Sequence, residues 1–353
     1  MTPLARLLMQ RIRAGGPISV ADYMAECLLH PVHGYYTTRE PFGVAGDFTT
    51  APEISQMFGE LFGLALAQAW VEQGAAASFT LAEAGPGRGT LMADILRATR
   101  GVPGFHAAAQ VVLVEASPRL RALQASTLAT SGVTPLWLDR LDDLPEAPLF
   151  LIANEFLDAL PIRQFQRGPD GWRERLVGLA EGQLAFGLSD PLAKVPDTPA
   201  FQTTPTGGVV EDCAPARHAV AAIAARISRH GGLGLLIDYG GWRSQGDTLQ
   251  ALRAHVFDDP LAHPGQADLT AHVDFEPLAA LAPAHVYDTQ GAVLERLGIA
   301  ARAERLARGM TGKALESHLA AHHRLTHPEE MGSLFKVLAL TRAAAPLPPG
   351  FAA

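Results

Sequence analysis

The chain has 353 residues, enough for one large elaborated domain or a core with a smaller insertion, and enough to bury a sizeable apolar interior. Its 48% hydrophobic and 18% charged content is globular and excludes a disordered or fibrous chain. Net charge is −8, the only lysines are Lys194, Lys313 and Lys336, and no basic stripe stands out, which argues against nucleic acid as partner and suits a small molecule or a basic peptide.

Residues 1–13 set Arg6, Arg11 and Arg13 around Leu4, Leu7, Leu8 and Ile12. No small-residue cleavage site follows an apolar core, so the segment reads as a first structural helix. No run approaches the ~18–20 apolar residues of a membrane span, and no membrane insertion is expected. In Thr50-Ala51-Pro52-Glu53 the threonine can cap a helix, Glu53 can close a capping box, and Pro52 is tolerated in the first turn. Ile54, Met57, Phe58, Leu61, Phe62, Ala65, Leu66 and Trp70 then recur at helical spacing and predict one wide apolar face.

From there short apolar runs alternate with helical segments. Residues 79–83, 111–114, 134–138, 149–153 and 233–237 each read as a strand buried on both faces. The fold expected is α/β: a doubly wound, Rossmann-like core with a mostly parallel sheet and helices on both faces. The fourth and fifth strands are separated by roughly eighty residues, too many for one crossover helix, so an insertion is expected there. Within it, 173–179 and 183–188 predict a hairpin around Glu181-Gly182, and 214–230 predicts the helix that returns to the sheet. The expected organisation is an N-terminal helical portion over 1–75, a core over 76–160 and 231–345, and an inserted α+β subdomain over 161–230. A second excursion, 246–275, is rich in His, Asp, Pro and Gly; such loops usually lie over a ligand.

The strongest local signal is Leu81-Ala82-Glu83-Ala84-Gly85-Pro86-Gly87-Arg88-Gly89-Thr90, a strand running into a glycine loop and then a helix. The dinucleotide fingerprint is G-x-G-x-x-G, whereas this loop is G-x-G-x-G and Pro86 removes one N–H donor. That departure favours a nucleoside without a pyrophosphate, such as S-adenosylmethionine; the alternative is a tight turn with no ligand. Glu115 ends the second strand, where a carboxylate can accept both ribose hydroxyl protons, as an acid also does in NAD enzymes.

Directly after the fourth strand comes Asn154-Glu155-Phe156-Leu157-Asp158-Ala159-Leu160-Pro161, at the sheet edge that lines the ligand crevice. Asn154 offers a carbonyl acceptor. Glu155 and Asp158 offer two carboxylates able to grip a guanidinium, or alternatively first-turn acids that satisfy a helix dipole. Cys27 and Cys213 form no C-x-x-C pair, so neither a disulfide framework nor a thiolate zinc site is expected and a reducing compartment is consistent. There is no H-E-x-x-H, and proline interrupts His30-Pro31-Val32-His33, so no metal is expected. No G-x-S-x-G elbow or P-loop supports a hydrolase or a nucleotide triphosphatase.

At this point the sequence resembles the MidA-like methyltransferase family, which includes a mitochondrial arginine methyltransferase that assists assembly of respiratory complex I. The resemblance rests on Gly16-Pro17-Ile18, Tyr23-Met24, Gly34-Tyr35-Tyr36, the run from Gly46 through Asp47-Phe48-Thr49-Thr50 to Gln56, the Gly85 loop and Asn154 through Pro161. Further on it rests on Asp238-Tyr239-Gly240, Ala267-Asp268-Leu269-Thr270, Val273-Asp274-Phe275 and Met331-Gly332-Ser333-Leu334-Phe335-Lys336. It implies a class I enzyme dependent on S-adenosyl-L-methionine, with an insertion covering the active site and the Gly46 to Gln56 segment closing over the cofactor. The cofactor residues it implies are Phe48, Thr50, Glu83, Gly85, Gly87, Gly89, Glu115, Leu141 and Asn154. The catalytic ones are Asn154, Glu155 and Asp158, with the two acids as guanidinium clamps. The implied partner is a protein substrate, a core subunit of complex I, with a homodimer left open. The implied compartment is the cytoplasm of a bacterium, or the mitochondrial matrix of a eukaryote. Two alternatives stay open: an NAD(P)-dependent oxidoreductase, for which no hydride-transfer Tyr/Lys pair is found, and a non-catalytic assembly or binding protein that keeps the fold.

Overall fold

The structure is a computed structural model that describes residues 1–38 and 49–352. The described residues form two compact units, one from 1–38, 158–217 and 243–274, the other from 49–157, 218–242 and 275–352.

The larger unit is built on seven core strands: β1 (Phe79–Ala84), β2 (Ala109–Val114), β3 (Leu136–Leu138), β4 (Leu149–Asn154), β5 (Gly232–Gly241), β6 (Ala284–Thr289) and β7 (Phe335–Thr341). Their spatial order is β3-β2-β1-β4-β5-β7-β6. The first five pair in parallel, with Leu81 opposite Phe150 and Ile152 opposite Leu235. All side chains of β1 and β4 are buried, because their runs carry no polar alternation and helices cover both faces. This is the expected Rossmann-like α/β core, with two additions from the C-terminal part. β7 runs antiparallel to β5, and β6 antiparallel to β7.

The helix Gln56–Glu72 carries the predicted apolar face, with Phe58, Leu61, Phe62, Leu66 and Trp70 in the main core. It packs on the helix Thr90–Thr99 almost backbone to backbone. A β-carbon on Gly63 would stand 2.9 Å from Cα of Ile95, so only glycine admits this approach. Between the two helices Glu60, 3% exposed, accepts hydrogen bonds from Arg97 and from Arg302 Nε (2.7 Å) and Nη2 (2.8 Å), the latter on the helix Ile299–Ala307. Phe79 of β1 lies at 5.0–5.6 Å centroid distance from Trp70, Phe105 and Phe150, an aromatic cluster under the start of the sheet.

The expected capping box at Thr50 does not form. Thr50 begins only a single turn, Ala51–Ile54, without a side-chain cap. Ser55 is extended (φ −159°) and starts a second helix, its hydroxyl accepting from Met57 N at 3.3 Å. Glu53 turns instead to Thr90, whose hydroxyl donates to it.

In the smaller unit, Thr2 caps the helix Pro3–Gly15 by accepting from Ala5 N, and Ser19 caps Val20–Leu29 by accepting from Asp22 N. Their apolar stripes meet Ile162, Val177 and Leu269 in a second core. An antiparallel sheet runs Ile18–Ser19, Gly171–Ala180, Arg163–Gly168, Val209–Asp212, and Gln183–Leu188 pairs with Gly171–Ala180. The predicted hairpin turn is present, with Glu181 at φ +51° and Gly182 at φ +76°. A three-stranded sheet orders Val256–Asp258, Gln250–Arg253 and Asp268–Thr270. Among the described residues no helix is long and apolar enough to cross a membrane.

Candidate active site

From β1 the chain turns to β2 and β3 on one side of the sheet, and from β4 to β5 on the other, so the topological switch point, where open α/β sheets bind ligands, falls at the carboxyl ends of β1 and β4. The glycine loop leaves β1 at that point. Gly85 N donates to Val114 O (3.1 Å) and Gly89 N to Pro86 O (2.7 Å), which closes the turn before the helix Thr90–Thr99 begins. Gly85, Gly87 and Gly89 have φ of +65°, +51° and +83°. At Gly85 a β-carbon would meet the Phe156 ring, so the loops after β1 and β4 touch here.

Glu83 sits two residues before the loop, 3% exposed, with Oε2 unbonded among the described residues. Burial pushes its carboxyl up to about 8, against the opposing pull of the Met92 backbone N–H. Glu115 follows β2 and is fixed by its N–H to Leu138 O (3.0 Å). Its Oε1 accepts from Ser117 N at 2.8 Å and Oε2 from the Gln124 amide at 3.2 Å. Each oxygen keeps a lone pair for a further donor. Burial raises the Glu115 pKa, and those hydrogen bonds pull it back.

β4 ends at Asn154. The next residue, Glu155, takes a left-handed backbone (φ +50°), which a side chain adopts at a cost and which is found where geometry serves a site. Glu155 N donates to Ile237 O at 2.9 Å, and its Oε1 accepts from Asn154 Nδ2 (3.0 Å) and Ala51 N (3.2 Å). The carboxylate is thereby aimed from the end of β4. Asn154 Oδ1 is buried and unbonded among the described residues. Leu157 N donates to Asp238 Oδ2 at 2.9 Å, tying this loop to the end of β5.

Thr50 precedes Ala51 and so lies next to the backbone that holds Glu155. Leu141 is buried and opens a short 3-10 turn, Leu141–Asp143, after β3. Phe48 lies outside the described residues. Asp158 belongs to the smaller unit, is 6% exposed, and its carbonyl accepts from Ala271 N at 3.0 Å. There Tyr36 donates to Asp268 Oδ1 at 2.9 Å, and burial together with the charges of Asp268 and Asp158 holds its phenol well above the ordinary range.

Thus the larger unit brings Glu83, the glycine loop, Glu115, Asn154, Glu155 and Thr50 to one edge of the sheet. One participant escaped the sequence reading: Gln124, fully buried on the helix Pro118–Leu128. Its amide donates to Gly87 O (2.9 Å) as well as to Glu115, and its carbonyl accepts from Trp137 Nε1 (2.9 Å). Its spacing from Leu120 and Leu128, a polar residue at the centre of a buried i, i+4, i+8 stripe, was the available signal.

The donor set fits a nucleoside with a cationic amino-acid arm. Glu115 can take a ribose diol, the opened glycine backbone admits close approach, and the buried unbonded oxygens of Glu83 and Asn154 can accept from an ammonium or an adenine amine.

Comparison with known proteins agrees. A family model described as an S-adenosyl-L-methionine-dependent methyltransferase matches residues 61–293. The protein arginine methyltransferase NDUFAF7, mitochondrial, of Mus musculus is 37% identical over 96% of this chain and 84% of its own length. Its Drosophila melanogaster homolog is 35% identical over 96% and 84%. Among solved structures, a Burkholderia thailandensis protein bound to S-adenosyl-homocysteine superposes with a TM-score of 0.85 at 30% identity, covering 99% of this chain and 94% of that one.

Proposed function

The chain belongs to this S-adenosyl-L-methionine-dependent methyltransferase family, and on that premise we propose that it methylates arginine side chains of a protein, namely a core subunit of respiratory complex I. The enzyme class takes the place of the oxidoreductase alternative. When bound, S-adenosyl-L-methionine supplies a methyl group activated on a sulfonium. In this reading Glu115 holds the ribose, Gly85, Gly87 and Gly89 admit the amino-acid arm, and Glu83, Thr50, Leu141 and Asn154 complete the cofactor's surroundings. Phe48 is assigned there by resemblance alone.

Glu155 carries the reading for arginine. A carboxylate held by Asn154 Nδ2 and Ala51 N at the end of the central strand can orient a guanidinium through charge-assisted hydrogen bonds, and transfer to its nitrogen is then largely a matter of position. Asp158, three residues on in sequence, is assigned as a second substrate acid by resemblance alone. The arginine specificity is further supported by the printed names of relatives that align over nearly the whole chain. A reducing setting, bacterial cytoplasm or mitochondrial matrix, accords with Cys27 and Cys213 both being free thiols.

The test is incubation with methyl-labelled S-adenosyl-L-methionine and unmethylated complex I core subunits, read by mass spectrometry. Dimethylarginine supports the proposal, and label on another residue type sinks the arginine assignment. Cofactor binding without any transfer favours the non-catalytic assembly reading.

A further inference from the structure

We infer that Gln124 is a positioning residue that couples the two halves of the cofactor site and sets its selectivity for a ribose. It does not depend on which substrate is methylated, but it rests on the assignment of Glu115 and the Gly87 loop to the cofactor. The geometry is closed on every side. One Gln124 N–H goes to Gly87 O at 2.9 Å and the other to Glu115 Oε2 at 3.2 Å, while its carbonyl is held by Trp137 Nε1 at 2.9 Å. The Gln124 side chain is fully buried, so water does not reach the amide itself, while its three partners are half-buried. The loop after β1, the acid after β2 and the tryptophan of β3 are therefore locked to one amide.

That amide decides which lone pairs of Glu115 remain available. Ser117 N takes Oε1 and Gln124 takes Oε2, so the carboxylate cannot rotate, and its free lone pairs keep one direction for a vicinal diol. An isosteric apolar side chain would release the rotation and take from Gly87 O and Trp137 Nε1, both on half-buried residues, the partner that Gln124 supplies. Trp137 acts on the same amide from behind, and its loss should have a smaller effect of the same kind.

The experiment titrates full-length protein with S-adenosyl-homocysteine and with its 2′-deoxyribose analogue, for the wild type, Gln124→Met, Trp137→Phe and Glu115→Ala. Melting temperatures are recorded alongside. The expected result is about a ten- to hundredfold weaker binding of the ribose ligand in Gln124→Met. The ribose to deoxyribose affinity ratio should collapse toward that of Glu115→Ala, and Trp137→Phe should move partway. If Gln124→Met and Trp137→Phe lower only the melting temperature and leave the ratio intact beside a weakened Glu115→Ala, this inference is overturned alone. If Glu115→Ala also binds ribose and deoxyribose ligands as the wild type does, the ribose assignment falls and takes the inference with it.

Discussion

Gly85 and Phe156 occupy adjoining turns so closely that a β-carbon on Gly85 would stand 2.8 Å from Cδ2 of the ring. The glycine is also left-handed, at φ +65°. Gly85→Ala therefore meets two penalties, strain and a clash, with an expected loss of about 1–3 kcal/mol of stability. Because the ring lies against the glycine loop proposed to hold the cofactor, calorimetric titration should show weaker S-adenosyl-homocysteine binding in the fraction that remains folded. Unchanged affinity would mean that the loop absorbs the shift without affecting the ligand.

Glu155→Gln retains an acceptor for Asn154 Nδ2 and Ala51 N but removes the negative charge. Under the arginine reading, turnover on the protein substrate should fall about a hundredfold or more, while S-adenosyl-homocysteine affinity stays within about twofold. Steady-state rates with parallel titration would separate the two effects. A comparable loss of cofactor binding would show Glu155 to be part of the cofactor site rather than the substrate clamp.

Glu83 makes stability depend on pH with a definite sign. Its carboxyl has an ordinary value of 4.5 and is pushed to about 8 by burial, so between these values the folded state holds a proton that the unfolded state has released. Stability is accordingly lost as pH rises through that window. Glu83→Gln removes the titration. The difference in melting temperature between Glu83→Gln and wild type, both without cofactor, should grow more favourable to the variant from pH 5 to pH 8. A difference that is flat or opposite in slope contradicts the burial argument.

Glu60 joins three helices through Arg97 and Arg302. Removing one partner leaves a buried carboxylate less well compensated, so Arg302→Met should destabilise the protein by about 1–3 kcal/mol in denaturant unfolding. Removing both the charge and its partner, Glu60→Met with Arg302→Met, should recover part of that loss. Additive losses in the double variant would show that the ion pair contributes no coupling.

The parallel half of the sheet was legible in sequence because strands buried on both faces leave uninterrupted apolar runs, as in Leu149–Asn154. The helix Ala214–His230 and the hairpin at Glu181-Gly182 were legible for equally local reasons, period and turn chemistry. β6 and β7 were not. Ala284–Thr289 is only partly buried and mixes polar with apolar residues, and its partner lies some fifty positions further on. Thr50 misled because its threonine, proline and glutamate imitate a long helix start, whereas Ser55 breaks the helix and Thr90 claims the acid. In the candidate site, the positions of Gly85, Glu115 and Asn154 at strand ends were readable from the apolar runs that precede them. Gln124 was not, since Gly87, Glu115 and Trp137 are neighbours only once three strands have assembled.

The placement of β7 between β5 and β6 also governs how the chain can be made. β6 is synthesised some fifty residues before the strand that joins it to the sheet. Until 335–341 emerge from the ribosome, β5 has its far edge open and β6 has no place in the sheet. Open strand edges invite pairing with other chains. A nascent or truncated product lacking those seven residues is thus a candidate for aggregation and chaperone capture, even though every residue of the glycine loop, Glu115 and Glu155 has already been translated.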